Sequence, residues 1–207
     1  MVQLLLLAFV LFGPFLFADD NLPRLCFRFG NDVTEPLRKP IPLLKGEDNF
    51  VQGATDKGVE WSAARGVVPQ SPKTILDWLL DHTNWKDVSK TKLTLEHIPS
   101  KHFFDLHKLD VDANIFAFIW LHWTEEWAYR ILSGDAKAPK SLLVSYQKVA
   151  GTDHIYRLCG NVLVKELSPG KSDIYFYEEA KANRYESSNM RELHVSNLMQ
   201  LRRLKKK

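Results

Sequence analysis

The sequence lacks the short motifs that mark most catalytic and cofactor sites. It has no glycine-rich phosphate loop, no Gly-x-Ser-x-Gly elbow and no His-Glu-x-x-His helix. Its seven histidines follow no metal-ligand spacing, and a zinc site needs three or four converging ligands. We therefore predict no cofactor and no metal site, and we assign no catalytic residue.

Cysteine is scarce, since Cys26 and Cys159 are the only two in 207 residues. They form no Cys-x-x-Cys pair, which argues against a zinc or dithiol redox motif. Cys26 lies in a segment without periodicity, whereas Cys159 lies within a predicted strand. Two free thiols are the favoured interpretation. The alternative is a disulfide in an exported protein, which would tie the N-terminal segment to the sheet.

The body of the chain has no excess of positive charge. Lys and Arg number 28 against 25 Asp and Glu, but five of the basic residues fall within the last six positions, from Arg202 to Lys207. Without them the acidic residues are in excess, so we predict no nucleic-acid partner. Two interpretations of the basic C-terminus stay open: a solvated helix end, and a transient contact with a membrane surface.

The one long apolar run, at the N-terminus, is shorter than the roughly 20 residues that span a membrane. It covers Met1 to Ala18, is interrupted by Gly13-Pro14, and is followed by two aspartates. This pattern is typical of a secretory signal peptide cleaved near Ala18, although no Lys or Arg precedes it. We predict export, to the periplasm or the medium. An N-terminal segment kept as an anchor is the alternative.

The segment after the leader predicts little regular structure. Residues 19–58 contain four prolines and no sustained period, which indicates an extended N-terminal arm. Val59 to Val68 then predicts a first strand. Ser71-Pro72 opens a helix, because serine caps the helix and proline suits its first position. A short second helix is predicted to begin within Trp85 to Val88.

The rest of the chain predicts antiparallel strands and one long helix. Two hairpins between Ser141 and Glu179 turn at Ala150-Gly151 and Pro169-Gly170. Ser187 to Leu204 has apolar residues at helical spacing. The predicted domain, residues 59–205, is therefore α+β, with a curved antiparallel sheet of about six to seven strands wrapped around a long C-terminal helix.

Five segments carry a family resemblance: the strand VEWSAARGVV, the following helix SPKTILDWLLDHTNW, and the segments YQKVAGT, RLCGNVLV and IYFYEEA. In this order they show a resemblance to the START-like (SRPBCC, Bet v 1-like) helix-grip superfamily. It implies an apolar cavity between the sheet and the last helix, and a role in binding lipids or other hydrophobic molecules. Some members of the superfamily are cyclases or dehydratases.

Strand parity predicts which side chains face that cavity, because alternate residues point to opposite faces of a sheet. The predicted ligand-binding residues are Trp123, Trp127, Tyr146, Tyr156, Leu158 and Val162. The adjacent carboxylates Glu125-Glu126 and Glu178-Glu179 are interpreted as solvated charges, although one member of each pair could be buried. Gly160 is interpreted as a bulge or bend within its strand.

Three functions stay open at this stage. The leading hypothesis is an exported protein that binds a small hydrophobic, lipid-like ligand by burial. The second is a cyclase- or dehydratase-type enzyme with a polar residue in the same cavity, which an entirely apolar cavity wall would exclude. The third is a scaffold with a collapsed cavity, favoured by a volume under about 300 Å³.

Overall fold

The computed structural model describes residues 25–29, 33–84, 91–116, 119–152, 154–182 and 187–204. Within them the chain forms an eight-stranded antiparallel sheet in the order β1-β2-β8-β7-β6-β5-β4-β3. The strands are β1 (Asn49–Ala54), β2 (Glu60–Val68), β3 (Thr91–His97), β4 (Asp105–Phe116), β5 (Ile119–Gly134), β6 (Pro139–Gly151), β7 (Ile155–Ser168) and β8 (Lys171–Ala182). The predicted leader, Met1 to Ala18, lies outside the described residues.

The two predicted hairpins are confirmed and form the middle of the sheet. β6 pairs with β7 and β7 with β8 in antiparallel register. Gly151 and Gly170 have φ values of 95° and 74°, a conformation that glycine adopts without a steric penalty. The pairing of β5 with β6 has a register shift between Thr124 and Glu125.

The sheet has eight strands, whereas about six to seven were expected. The strand that the sequence did not predict is β1. It lies within the segment predicted as an extended arm and pairs with β2 from Asn49↔Arg65 to Ala54↔Glu60. Its sequence, NFVQGA, is short and only half-buried, so it shows little of the alternation that marks a strand.

The first helix, α1 (Pro72–Leu80), begins as predicted. The Ser71 side chain accepts a hydrogen bond from the Thr74 amide at 3.2 Å, and Pro72 occupies the first turn. Ile75, Leu76 and Leu79 form its buried face, which packs against β6 and β7. A single 3₁₀ turn at His82–Asn84 follows. The predicted second helix at Trp85 to Val88 lies outside the described residues.

The last helix, α2 (Ser187–Arg203), lies over β1 and β2. The α2 side chains of Met190, Leu198 and Leu201 are fully buried, as expected for the predicted apolar stripe of this helix. Together the two helices cover one face of the sheet, which we call the inner face. Among the described helices, neither is long and apolar enough to cross a membrane.

The opposite, outer face is covered by the arm segment, which we define as residues 25–29 and 33–48. Val33 and Ile41 pack against an outer-face cluster that includes Leu143, Tyr175 and Tyr177. Phe29 and Val33 also contact a second cluster around Phe103 and Ala128. The arm segment therefore extends the hydrophobic core onto the outer face.

Hydrogen bonds and a disulfide fix the arm segment to the sheet. The Gln147 side chain accepts from the amides of Cys26 and Phe27 at 3.0 and 2.8 Å and donates to the Phe27 carbonyl at 3.1 Å. Cys26 and Cys159 are joined, so the two free thiols that the sequence favoured are wrong. The prediction failed because the arm showed no periodicity that would place Cys26 against the sheet.

Candidate functional site

A cavity of about 220 Å³ lies on the inner face of the sheet, beside α2. Its wall combines three aromatic side chains, five aliphatic side chains and two carboxylates. The lining residues are Trp123, Glu125, Trp127, Tyr146, Ile155, Leu158, Glu178, Ala180, Ala182 and Leu193. The wall is therefore mostly apolar but has two acidic positions.

The aromatic part of the wall is built by cross-strand pairing. Trp127 of β5 and Tyr146 of β6 are register partners, and their rings stack with centroids 4.4 Å apart and planes 14° from parallel. Both side chains are almost fully buried. Aromatic pairs of this kind contribute about 0.5–1.5 kcal/mol beyond the area that they bury, so the pair gives this side of the cavity a rigid surface.

Glu125 lies between Trp123 and Trp127 in β5 and is fully buried. The indole nitrogens of Trp123 and Trp127 donate hydrogen bonds to its two carboxylate oxygens at 2.7 and 2.8 Å. Each oxygen therefore acts as a hydrogen-bond acceptor, since an indole nitrogen can only donate. The interpretation of Glu125 as a solvated charge is wrong, because it shares the inward parity of the flanking tryptophans.

Glu178 of β8 is also buried, at 4% exposure, so the solvated interpretation is wrong here too. Its Oε2 accepts a hydrogen bond from the Tyr146 hydroxyl at 2.5 Å. Tyr146 is on β6 and Glu178 is on β8, with Gly160 of β7 paired to both. The tyrosine side chain thus reaches across a whole strand to its acceptor.

Gly160 makes this crossing possible. A Cβ atom at position 160 would collide with the Tyr146 ring and crowd the Tyr177 carbonyl. The register of β7 with β6 and β8 continues through Gly160, and the shifts of β7 against β8 fall near its two ends. Gly160 is therefore not the bulge that the sequence suggested, and its role is to leave room for a ring.

The second carboxylate of each adjacent pair points to the outer face, as strand alternation requires. Glu179 accepts from Arg157 Nε at 2.8 Å and from the Tyr177 hydroxyl at 2.9 Å. Glu126 accepts from Gln147 at 3.3 Å. Each pair thus divides between the cavity and the opposite face, so neither is a carboxylate dyad.

The structure brings four of the six predicted ligand-binding residues to the cavity: Trp123, Trp127, Tyr146 and Leu158. Tyr156 is placed elsewhere because β7 contains a bulge: Ile155 pairs with Ala182 and Arg157 with Lys181, which leaves Tyr156 as the extra residue. The bulge reverses the parity, so Ile155 lines the cavity instead.

Val162, the sixth predicted residue, is buried in the main core beside the cavity rather than in its wall. Its register partners are Val144 and Phe176, which belong to the same core. Whether any of the six contacts a ligand remains a prediction.

No protein-family model and no curated protein matches this sequence. Among solved structures, it resembles the lipid transfer and protein localization domain of human StarD13 at 10% identity and a TM-score of 0.49, over 74% of this chain and 87% of that one. A STAR-related lipid transfer protein from Xanthomonas axonopodis gives 13% identity and 0.48, over 74% and 96%.

The Zhui aromatase/cyclase from a Streptomyces species gives 10% identity and a TM-score of 0.43, over 75% of this chain and 92% of that one. The fold of this chain is a helix grip, because its curved antiparallel sheet, the helix after β2 and the long C-terminal helix form that arrangement. At these identities and scores its function has to be argued from its own residues.

Proposed function

We propose that this protein binds a small, mostly apolar molecule in the inner cavity, with the polar group of that molecule facing Glu125 and Glu178. The observation that supports this most directly is the wall itself, where aromatic and aliphatic side chains surround two buried carboxylates. Burial supplies about 0.8 kcal/mol for each CH₂ group that leaves water. Glu125 and Glu178 add selectivity for the polar group of the ligand.

The size of the cavity limits the ligand. Its 220 Å³ is smaller than the roughly 300 Å³ at which typical ligand pockets begin. By volume alone the scaffold hypothesis is favoured, so the binding proposal is supported by the lining of the wall and is restricted to small ligands. We therefore propose a single short acyl chain or a single ring system, and not a whole two-chain lipid.

The chemistry of the wall favours one kind of polar group. An ionised carboxylate only accepts hydrogen bonds, so a ligand hydroxyl or amine complements Glu125 and Glu178. A ligand carboxylate would bring like charges together in a site of low polarity. We expect alcohols and amines to bind more tightly than the fatty acid of equal length.

Tryptophan fluorescence tests this proposal, since Trp123 and Trp127 line the cavity. The purified protein is titrated with 1-decanol, decylamine and decanoate. We expect saturable changes with the alcohol or the amine, and binding of decanoate that is weaker by about tenfold, which corresponds to about 1.4 kcal/mol. Absence of any saturable change would contradict the proposal, and tighter binding of decanoate would contradict the role of the carboxylates.

A matched pair of variants locates the binding. Ala180 lies in the cavity wall, so Ala180→Leu fills the space with a larger side chain. Ala138 is exposed in the loop before β6, and Ala138→Leu is the control. Binding should be lost in the first variant and retained in the second; equal binding by both would place the ligand outside the cavity. Native mass spectrometry of protein from its own host would then identify the bound molecule.

A cyclase- or dehydratase-type enzyme is the second candidate, and the Tyr146–Glu178 hydrogen bond favours it. A hydroxyl and a carboxylate in contact at a cavity wall can exchange a proton with a bound substrate. The test is to incubate the identified ligand with the protein and to weigh the products. A binding protein returns the ligand unchanged, whereas conversion that is lost in Glu178→Gln would establish the enzyme. A scaffold would yield no ligand and no saturable titration.

We also propose that the protein is exported. The Cys26–Cys159 disulfide supports this, since such bonds persist mainly in oxidising compartments. A transient membrane contact of the basic C-terminus is a separate proposal. Arg202 is already engaged, because its Nη1 donates to Asp48 at 2.8 Å. Fractionation of the host cells and vesicle co-sedimentation test the two proposals.

A further inference from the structure

A second polar cluster lies at the β3 edge of the sheet, next to the cavity-wall residue Trp127, whose register partner is His107. His97 of β3 and His107 of β4 are direct register partners, and Asp105 is on the same face of β4 as His107. One Asp105 oxygen lies 3.0 Å from His97 Nδ1, and the other contacts His107 Nδ1. The two ring nitrogens and the carboxylate lie within 4.8 Å of one another.

The pairing of the strands explains why these side chains meet. The neighbouring pair is hydrogen-bonded, since the Ile98 amide donates to the Leu106 carbonyl at 2.7 Å. His97 and His107 therefore form the next, non-hydrogen-bonded pair, where side chains on opposite strands come closest. The backbone thus holds the two rings together without any ligand.

We propose that His97, Asp105 and His107 bind a divalent transition-metal ion, with zinc as the first candidate. Two imidazole nitrogens and one carboxylate oxygen are the donor set of three-ligand zinc sites, which keep a fourth position for water or substrate. The same donors suit nickel, cobalt and copper, and they are poorly matched to calcium or magnesium, which prefer oxygen.

His82 completes the site from the 3₁₀ turn. Its Nε2 lies 2.7 Å from Nε2 of His107, and both rings are buried. When a metal occupies Nδ1 of His107, the ring proton resides on Nε2 and is donated to His82. Metal-binding histidines commonly donate their other ring nitrogen to such a partner, which fixes the tautomer and the ring orientation.

The exposure of the three ligands is graded, which gives an ion access. The side chains of His107, Asp105 and His97 are 0%, 18% and 67% exposed. Beside them the loop between β3 and β4 borders a groove of about 270 Å³, lined in part by Phe103, Phe104 and Asp105. His107 is thus the internal ligand, and His97 is the ligand in contact with solvent.

Zinc competition with a chromophoric chelator tests the site on the full-length protein, after its metals have been removed. We expect one tightly bound zinc ion. His97→Ala and Asp105→Asn should each weaken binding by about tenfold or more, since even partners of metal ligands cost 10–100-fold when replaced. Cobalt added in place of zinc should give the visible absorption of a tetrahedral nitrogen and oxygen site, and this absorption should be lost in both variants.

The control is His102→Ala, which removes an exposed histidine of the adjacent loop and should leave zinc binding unchanged. Circular dichroism verifies that each variant is folded, which is expected because His97 and Asp105 are both partly exposed. Wild-type protein that binds no stoichiometric zinc would overturn the proposal. Zinc binding of wild-type strength in both ligand variants would overturn it too, because the ion would then lie elsewhere.

Discussion

Replacement of His194 by Phe should reduce the amount of unfolding free energy that the protein loses at acid pH. His194 lies in α2, is 2% exposed, and stacks on Phe176 of β8 with ring centroids 5.6 Å apart. Burial lowers its pKa from the ordinary 6.5 to about 4, with a smaller opposing effect from the Ser62 backbone. The neutral ring is therefore the form that lets α2 pack on the sheet.

The sign and size of the effect follow from proton linkage. Between pH 6.5 and about 4 the unfolded chain binds a proton at this position and the folded chain does not. The stability that neutral His194 contributes is fully present above pH 6.5 and is lost as the pH falls from 6.5 to about 4. At about 1.4 kcal/mol for each pH unit, the loss at pH 4 reaches about 3 kcal/mol.

Urea unfolding at pH 7 and pH 4.5 measures this contribution. The wild type should lose about 2–3 kcal/mol more than His194→Phe between the two pH values, because phenylalanine keeps the ring and cannot titrate. His102→Phe, at an exposed histidine, should behave as the wild type. An identical pH dependence in the wild type and His194→Phe would refute the reasoning.

Three further predictions concern the disulfide and the cavity wall. Cys26 and Cys159 are 133 residues apart, so replacing both with Ala should lower the unfolding free energy by about 2–5 kcal/mol, measured in urea. Gly160→Ala should cost about 1–3 kcal/mol by overpacking against Tyr146 and should shift the tyrosine absorption. Glu125→Gln should cost about 1–3 kcal/mol, because an amide can accept from only one of the two indoles, and should shift the tryptophan emission.

Each of these has its own control. The disulfide variant should match wild type measured in reductant; if it matches the oxidised wild type instead, the bond does not constrain the chain. The cost of Gly160→Ala should fall in a Tyr146→Ala background, and a cost that stays unchanged would mean that the ring is not what position 160 accommodates. Glu126→Gln, on the outer face, should cost less than Glu125→Gln. The reverse order would contradict the assignment of the two faces.

Much of the fold was predictable because its hairpins and helix ends have local patterns. Gly151 and Gly170 mark turns whose backbone needs positive φ, and Ser71-Pro72 marks a helix start. β1 could not be found in this way. It is held by its pairing with β2 and by α2, and such long-range contacts leave little trace in a six-residue segment.

The cavity was predictable in part, and the errors have different causes. Strand alternation correctly placed Trp123 and Trp127 on one face, and it correctly placed Leu158 on the inner face. Alternation does not predict the bulge in β7, which directs Tyr156 away from the cavity. The same alternation already implied that Glu125, between two inward tryptophans, points inward. Glu125 was nevertheless interpreted as solvated, because a carboxylate is seldom buried. The hydrogen bonds from the indole nitrogens of Trp123 and Trp127 explain why the burial of Glu125 is tolerated.

The polar groups of the cavity support the proposal of a binding site over the alternative of a packing defect. A void left by imperfect packing would be lined by apolar atoms, since burying a carboxylate costs free energy that packing alone does not return. Here Glu125 and Glu178 are both buried at the wall. Glu125 is oriented by the indole nitrogens of Trp123 and Trp127, and Glu178 by the Tyr146 hydroxyl from two strands away. Because Gly160 has no side chain, the Tyr146 ring can pass over β7 and its hydroxyl can contact Glu178. Four strands, β5 to β8, therefore contribute the residues that hold these two carboxylates in the cavity wall, and under the proposed function a ligand with a complementary donor is the molecule that we expect to bind there.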